Sequence, residues 1–514
     1  MIGTSIPSYI FIRSCIFLLH AIAPLSILFC LFSLVSPPSF RGARILQIWT
    51  TLETAFYLFV YHPRKIYLQR AAIHPTPVSR EERRVLFQRC HEHIPDPERY
   101  LTKWFMDAPA SEIKRENVKD FLRWAFLNTG APNAADDEEL EEFIKEMEKM
   151  LGRKLEPGRG SAKCLRLSLE KVDMLHRSLT WYLCVFVVDT LASAYMRYYS
   201  FDFHRTSRLQ FPTVFPFRPL TFLTPHRSAA KTVTYWHRPH TSKTRLPILF
   251  IHGIGIGLYP YINLLAEINP GLETDASDGE VGIIAVEIMA VSLRLTREAL
   301  DKDVMCQEID CILKAHGWEK FVLVSHSYGS VITTHLLRTP QIAQKIGPLL
   351  FIDPVSFLLH LPDVAYNFIC RKPIRANEHQ LHYFASKDMG VSHTLFRRFF
   401  WSENILWKED LRGHRATVVL GGRDLIVDTE AVRAYLTDHT GSSRSGSNGS
   451  CNGNGKSKGE KEGCEVGPGA GQAWKGDGDG LDVLWFPQLD HGQVFDRKST
   501  RAKLVRVIGR YCEG

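Results

Sequence analysis

The chain has 514 residues, 45% hydrophobic and 23% charged, ordinary for a globular protein and too long for one compact core. Its net charge of +8 is mild but unevenly placed: residues 198–245 hold eight Lys/Arg against one Asp and supply most of it. The eleven cysteines are scattered and odd in number, and no pair has zinc-site spacing. This argues against a disulfide framework and favours a reducing, cytosol-facing setting.

Taken in chain order, residues 1–66 read as a membrane anchor region. From Ser14 to Val35 the sequence "SCIFLLHAIAPLSILFCLFSLV" carries no charge and is long enough to cross a bilayer, which needs about 20 apolar residues. A cleaved signal peptide is the rival reading, since "AIA" at 21–23 resembles a cleavage site. The apolar run continues past it, however, beyond the roughly 7–15 residues of a signal core. Residues 45–61 are apolar with Trp49, Tyr57 and Tyr61 but contain Glu53, and suit either a second span or an interfacial helix. Arg41, Arg44, Arg64 and Lys65 follow the first span while Arg13 precedes it, which places the C-terminal side in the cytosol behind a single-pass anchor.

Residues 77–197 predict a helical region. "DDEELEEFIKEMEKMLGRK" sets Leu140, Phe143, Ile144, Met147 and Leu151 on one helix face, with the acidic run as its solvated side. The apolar stretch from Leu179 has Asp189 in its middle and reads as a buried helix. Residues 198–229 read as a basic, aromatic linker that could rest on anionic lipid. No nucleic-acid motif accompanies it.

From residue 230 short apolar runs alternate with helical periods: "LPILFIHG", "VGIIAVEI", "KFVLVSH", "PLLFIDP", "RATVVLGG" and "LDVLWFPQLD". Alternating β and α predicts an α/β domain, a mostly parallel sheet covered on both faces. Residues 441–480, with thirteen glycines in forty positions, read as a disordered insertion. "GNGKS" and "DGDGDG" inside it lack the residues a phosphate loop and a calcium loop require. No cofactor and no metal are called for.

Within this pattern "FVLVSHSYGSVITTHLL" is a buried strand running straight into a helix. Ser327 stands between them as the exposed hydroxyl of a strand–turn–helix elbow, with Ser325 where the first glycine of such elbows usually sits. Upstream, His252-Gly253 ends an earlier strand ahead of a glycine-rich turn. Downstream, Asp424 follows "VVLGG", and His491 follows the last apolar run.

On these four motifs, residues 230–514 resemble the α/β-hydrolase fold superfamily, and the anchored N-terminal part is similar to that of uncharacterised fungal hydrolases. The resemblance implies a serine nucleophile at Ser327, a base at His491 and an orienting acid at Asp424, with Asp353 at the end of "PLLFIDP" as the alternative acid. The N–H groups of Ile254 and Tyr328 would form the oxyanion hole. His326 adjoins the elbow on the wrong side of the turn to act as base, and reads as a structural neighbour. Residues 355–412, aromatic and helical, would form a cap suited to a hydrophobic acyl substrate.

The leading expectation is a membrane-anchored serine hydrolase of carboxylic esters, lipid-like in substrate, with membrane lipids as partners. An acyltransferase using the H-x-x-x-x-D spacing of His491 and Asp496, or a catalytically silent scaffold, are the alternatives. Oligomeric state is not legible.

Overall fold

In this computed structural model, residues 2–36, 40, 42–272, 278–437, 472–475 and 480–513 are described. Nine strands form one sheet: β1 (Asp202–His204), β2 (Thr234–Arg238), β3 (Ile248–Ile251), β4 (Ile283–Glu287), β5 (Phe321–His326), β6 (Ile346–Ile352), β7 (Ala416–Gly421), β8 (Gln472–Lys475) and β9 (Leu481–Phe486). Their order is β1-β2-β4-β3-β5-β6-β7-β9-β8. The central strands are parallel, while β1/β2, β2/β4 and β8/β9 pair antiparallel. Every residue of β3, β4, β5 and β7 is buried, as a sheet covered on both faces requires.

The strand sequence steps from β3 to β4 on one side and then to β5 on the other. The carboxyl ends of β3 and β5 therefore lie side by side, with Ile251 opposite Ser325, at the point where an open α/β sheet leaves a crevice.

Three expectations change. Residues 198–229 are not a free linker: β1 joins the sheet from within them, so the sheet begins before residue 230. The 441–480 segment lies outside the described residues except for 472–475 and 480, and 472–475 form the edge strand β8 rather than a disordered stretch. The helix Leu179–Tyr198 is not buried. Leu183, Val187, Leu191, Tyr195 and Tyr198 face outward, while Asp189 turns inward onto Arg218 (3.1 Å) and Arg294 (2.6 Å). Arg218 in turn forks onto Glu287 of β4 at 2.7 and 2.9 Å, so a buried ion network pins this helix to the sheet.

The first helix runs from Ile6 to Val35, and its apolar face remains open at Phe17, Leu18, Leu25, Leu28 and Leu31. A second helix, Ala43–Phe56, returns beside it. Its Glu53 is buried and accepts the N–H groups of Leu179 (2.8 Å) and Thr180 (2.7 Å), capping the N-terminus of the Leu179–Tyr198 helix. Two helices, Ile6–Val35 and Leu179–Tyr198, are long and apolar enough to be candidate membrane spans.

The helix Asp137–Leu151 buries Leu140, Phe143, Ile144 and Met147 at the predicted spacing. Its acidic side is not wholly solvated: Glu139 pairs with Arg83 and Glu148 with Arg115, each at 2.6 Å. This helical region packs on the segment between β6 and β7, where Trp401 donates to the Ala125 carbonyl at 2.9 Å.

Candidate active site

Ser327 follows β5 with φ of 51°, a left-handed conformation that costs a non-glycine residue about 1–3 kcal/mol and must be imposed by its surroundings. The helix Gly329–Leu337 starts two residues later. A Cβ on Gly329 would stand 2.5 Å from the Ile251 carbonyl, and one on Gly253 would stand 2.7 Å from Ser327 Cβ. Glycine at these two positions is what lets the helix and β3 close on the turn. Ser330 holds the turn from inside, its hydroxyl donating to Ser327 O at 2.7 Å and accepting Val355 N–H at 3.1 Å. Ser325 fits where glycine is usual, but its buried hydroxyl has no hydrogen-bond partner among the described residues.

Three side chains from separate loops converge here. Asp424, after β7, accepts the N–H groups of Ile426 (2.7 Å) and Val427 (3.0 Å) on Oδ1. This leaves Oδ2 to accept from His491 Nδ1 at 2.7 Å. His491 Nε2 then lies 2.9 Å from Ser327 Oγ, in position to accept the hydroxyl proton.

Burial works against charge on His491. The Asp424 carboxylate outweighs it, helped by Asp353 and Asp490, and holds the imidazolium up to about 9. Asp353 makes no hydrogen bond to His491. At φ of 42°, its carboxylate accepts Gly421 N–H at 3.0 Å and Gly492 N–H at 2.8 Å, tying the two loops that carry Asp424 and His491. Burial, with Asp424 nearby, raises its carboxyl to about 7.

His326 packs beside the relay without joining it, its ring centroid 5.2 Å from that of His491 and its Nε2 4.0 Å from Asp353 Oδ2. Its Nδ1 meets the Tyr261 hydroxyl at 2.8 Å, and that hydroxyl accepts Gly253 N–H at 3.1 Å. Burial holds its imidazole well below the usual range. Asp496 is exposed, and both His491 nitrogens are engaged elsewhere, so the H-x-x-x-x-D spacing is not assembled.

Ser327 opens into a cavity of ≈ 70 Å³ with an almost wholly apolar wall. Ile254 and Tyr328 line it beside the serine, and their N–H groups donate to no acceptor among the described residues. The segment between β6 and β7 contributes Phe368, Leu395 and Phe399. The N-terminal helical region contributes Trp104, Trp124 and Leu167. Sequence reasoning missed these last three, because nothing local marks residues so distant in the chain as facing the serine.

No family model and no curated protein matches the chain. Among solved structures it is similar to a membrane phospholipase A described as a bacterial virulence factor, at 11% identity over 64% of this chain and 92% of that one, TM-score 0.36. It is likewise similar to a carboxylesterase from Bacillus subtilis, at 10% identity over 65% and 99%, TM-score 0.36. A thermophilic esterase from Thermogutta terrifontis matches at 11% identity over 55% and 95%, TM-score 0.34. These are likenesses of fold.

Proposed function

With the α/β-hydrolase fold as premise, we propose that this chain is a membrane-anchored serine hydrolase that cleaves carboxylic esters of lipid-like substrates through an acyl-enzyme on Ser327. The observation that carries the reading is the Ser327–His491–Asp424 relay, at 2.9 and 2.7 Å, opening onto an apolar cavity.

In this reading His491 Nε2 takes the proton as Ser327 Oγ attacks the ester carbon, and Asp424 stabilises the imidazolium that forms. The Ile254 and Tyr328 N–H groups receive the oxyanion, each worth about 10²–10³ in rate. The imidazolium then protonates the leaving alcohol. Water, deprotonated by the same nitrogen, releases the acid and frees the serine. A predominantly apolar wall favours an acyl chain over a charged or sugar-like group.

The membrane part of the proposal rests on the outward apolar faces of Ile6–Val35 and Leu179–Tyr198. The first helix also touches the segment that lines the cavity. Tyr9 meets His379 and His20 meets Tyr383 edge-on, with ring centroids 5.6 and 4.8 Å apart. A bilayer around that helix would bring lipid to the cavity's cover. The positive charge following the first span supports a cytosolic catalytic domain.

A fluorophosphonate probe tests the proposal on the full chain in detergent. Wild type should label and Ser327→Ala should not, and an acyl-chain series of esters should show kcat/KM rising with apolar length. Equal labelling of both proteins would overturn the nucleophile. Release of acid with no preference for apolar acyl groups would overturn the substrate class.

A further inference from the structure

Three histidines far apart in sequence meet on the face of the sheet at its β1 edge, away from the serine. His204 ends β1, His237 lies on β2, and His316 follows the helix Lys302–Ala315. One ring nitrogen of each lies within 4.8 Å of the others. Their ring centroids are 5.5 Å apart for His204 and His237, 5.5 Å for His204 and His316, and 4.0 Å for His237 and His316. We propose that His204, His237 and His316 form a binding site for a divalent transition-metal ion of the zinc class, separate from the catalytic relay.

The chemistry of the donor set fits. Imidazole nitrogen suits zinc, copper and nickel, and three of them leave one position of a tetrahedron for a further ligand. Zinc–nitrogen bonds of about 2.0–2.1 Å need donor nitrogens about 3.4 Å apart, so rotation of the rings over an ångström or so closes the site. His204 Nδ1 is buried without a well-formed hydrogen bond, the Arg227 backbone being a polar group beside it. A buried imidazole nitrogen without a well-formed hydrogen bond is uncommon and leaves a lone pair that an ion could use.

The surroundings fit as well. The Tyr235 hydroxyl lies 2.9 Å from His316 Nε2 and stacks its ring on His204 at 4.5 Å, fixing two of the three rings as outer partners of metal ligands do. His226, its ring 5.2 Å from His204 and its side chain 44% exposed, can swing in as fourth ligand.

The ion would join the three-residue strand β1, its neighbour β2 and the end of the Lys302–Ala315 helix. Because β1 directly follows the outward-facing helix Leu179–Tyr198, the metal would clamp that apolar helix to the catalytic sheet.

The test uses the full chain in detergent, stripped with chelator and dialysed against zinc. Wild type should retain one equivalent of zinc, which His237→Gln and His316→Gln should each lose. Cobalt(II) on wild type should give the visible bands of a four-coordinate nitrogen site, a readout that needs no variant to fold. His491→Gln should keep the equivalent, which separates this cluster from the carboxylates around the serine. No zinc retained by wild type, equal retention by wild type and both glutamine variants, or loss in His491→Gln alone would overturn the site.

Discussion

At the scale of single residues, Asp424 and Asp353 do different work beside His491. Asp424 orients the ring, so Asp424→Asn should lower kcat by about 10⁴. Asp353 accepts two backbone N–H groups, and an asparagine there can satisfy only one of them. Asp353→Asn should therefore cost about 1–3 kcal/mol in stability, with a much smaller loss of rate. The reverse ranking in steady-state assays would make Asp353 the acid.

The variant also has a pH signature. The base must be neutral, and its imidazolium persists up to about 9, so activity should rise with pH toward that value. Removing the Asp353 charge should shift this rising limb to lower pH. In stability the sign is opposite. A histidine whose folded value lies above the ordinary 6.5 contributes stability in full below pH 6.5, and loses it as pH rises through about 9. Unfolding scans between those limits should show the fall. Ser325→Ala removes a buried hydroxyl without a partner, and should leave stability unchanged or raise it by up to about 1 kcal/mol.

At the scale of elements, the Leu179–Tyr198 helix is held by what its one acid meets. Asp189 answers two buried arginines, so Asp189→Ala would leave Arg218 and Arg294 short of charge and should cost about 3–5 kcal/mol in chemical denaturation. A change under 1 kcal/mol would mean that the network is open to water. The same reasoning explains Glu53, which looks wrong for a membrane helix and is instead turned onto the N-terminus of its neighbour.

For the whole molecule, the anchor cannot be cut away cleanly. A chain beginning near Arg64 would lose Glu53 and the contacts of the first helix with Tyr383, so loss of membrane binding would be confounded with unfolding. Arginine on the open face avoids this. Leu25→Arg and Leu28→Arg, at positions 60% and 61% exposed, should leave the fold intact while each costs about 2.5–3.5 kcal/mol of insertion. Wild type should stay in the membrane pellet after a carbonate wash, and the double variant should move to the supernatant. Retention of both would place the attachment elsewhere, and soluble wild type would remove the anchor.

Much of this was legible in local patterns. Six of the nine strands are short apolar runs in a βα rhythm, and the elbow is marked by a serine at the joint of strand and helix, because those features depend on neighbours in sequence. β1 and β2 were not, since "DFH" and "TYWHR" are short, mix polar with aromatic residues, and become strands only by pairing, β2 on β4 and β1 on β2. The sequence alone offered Asp353 and Asp424 as acids at the ends of adjacent strands. Choosing which one meets His491 depended on the loop turns that spend one carboxylate on two backbone amides and aim the other at the ring. The outward face of Leu179–Tyr198, the tryptophans around the serine and the three gathered histidines were decided only by tertiary structure. Each depends on residues tens to hundreds of positions apart, and periodicity reports which face of a helix differs from the other, not what the fold sets against it.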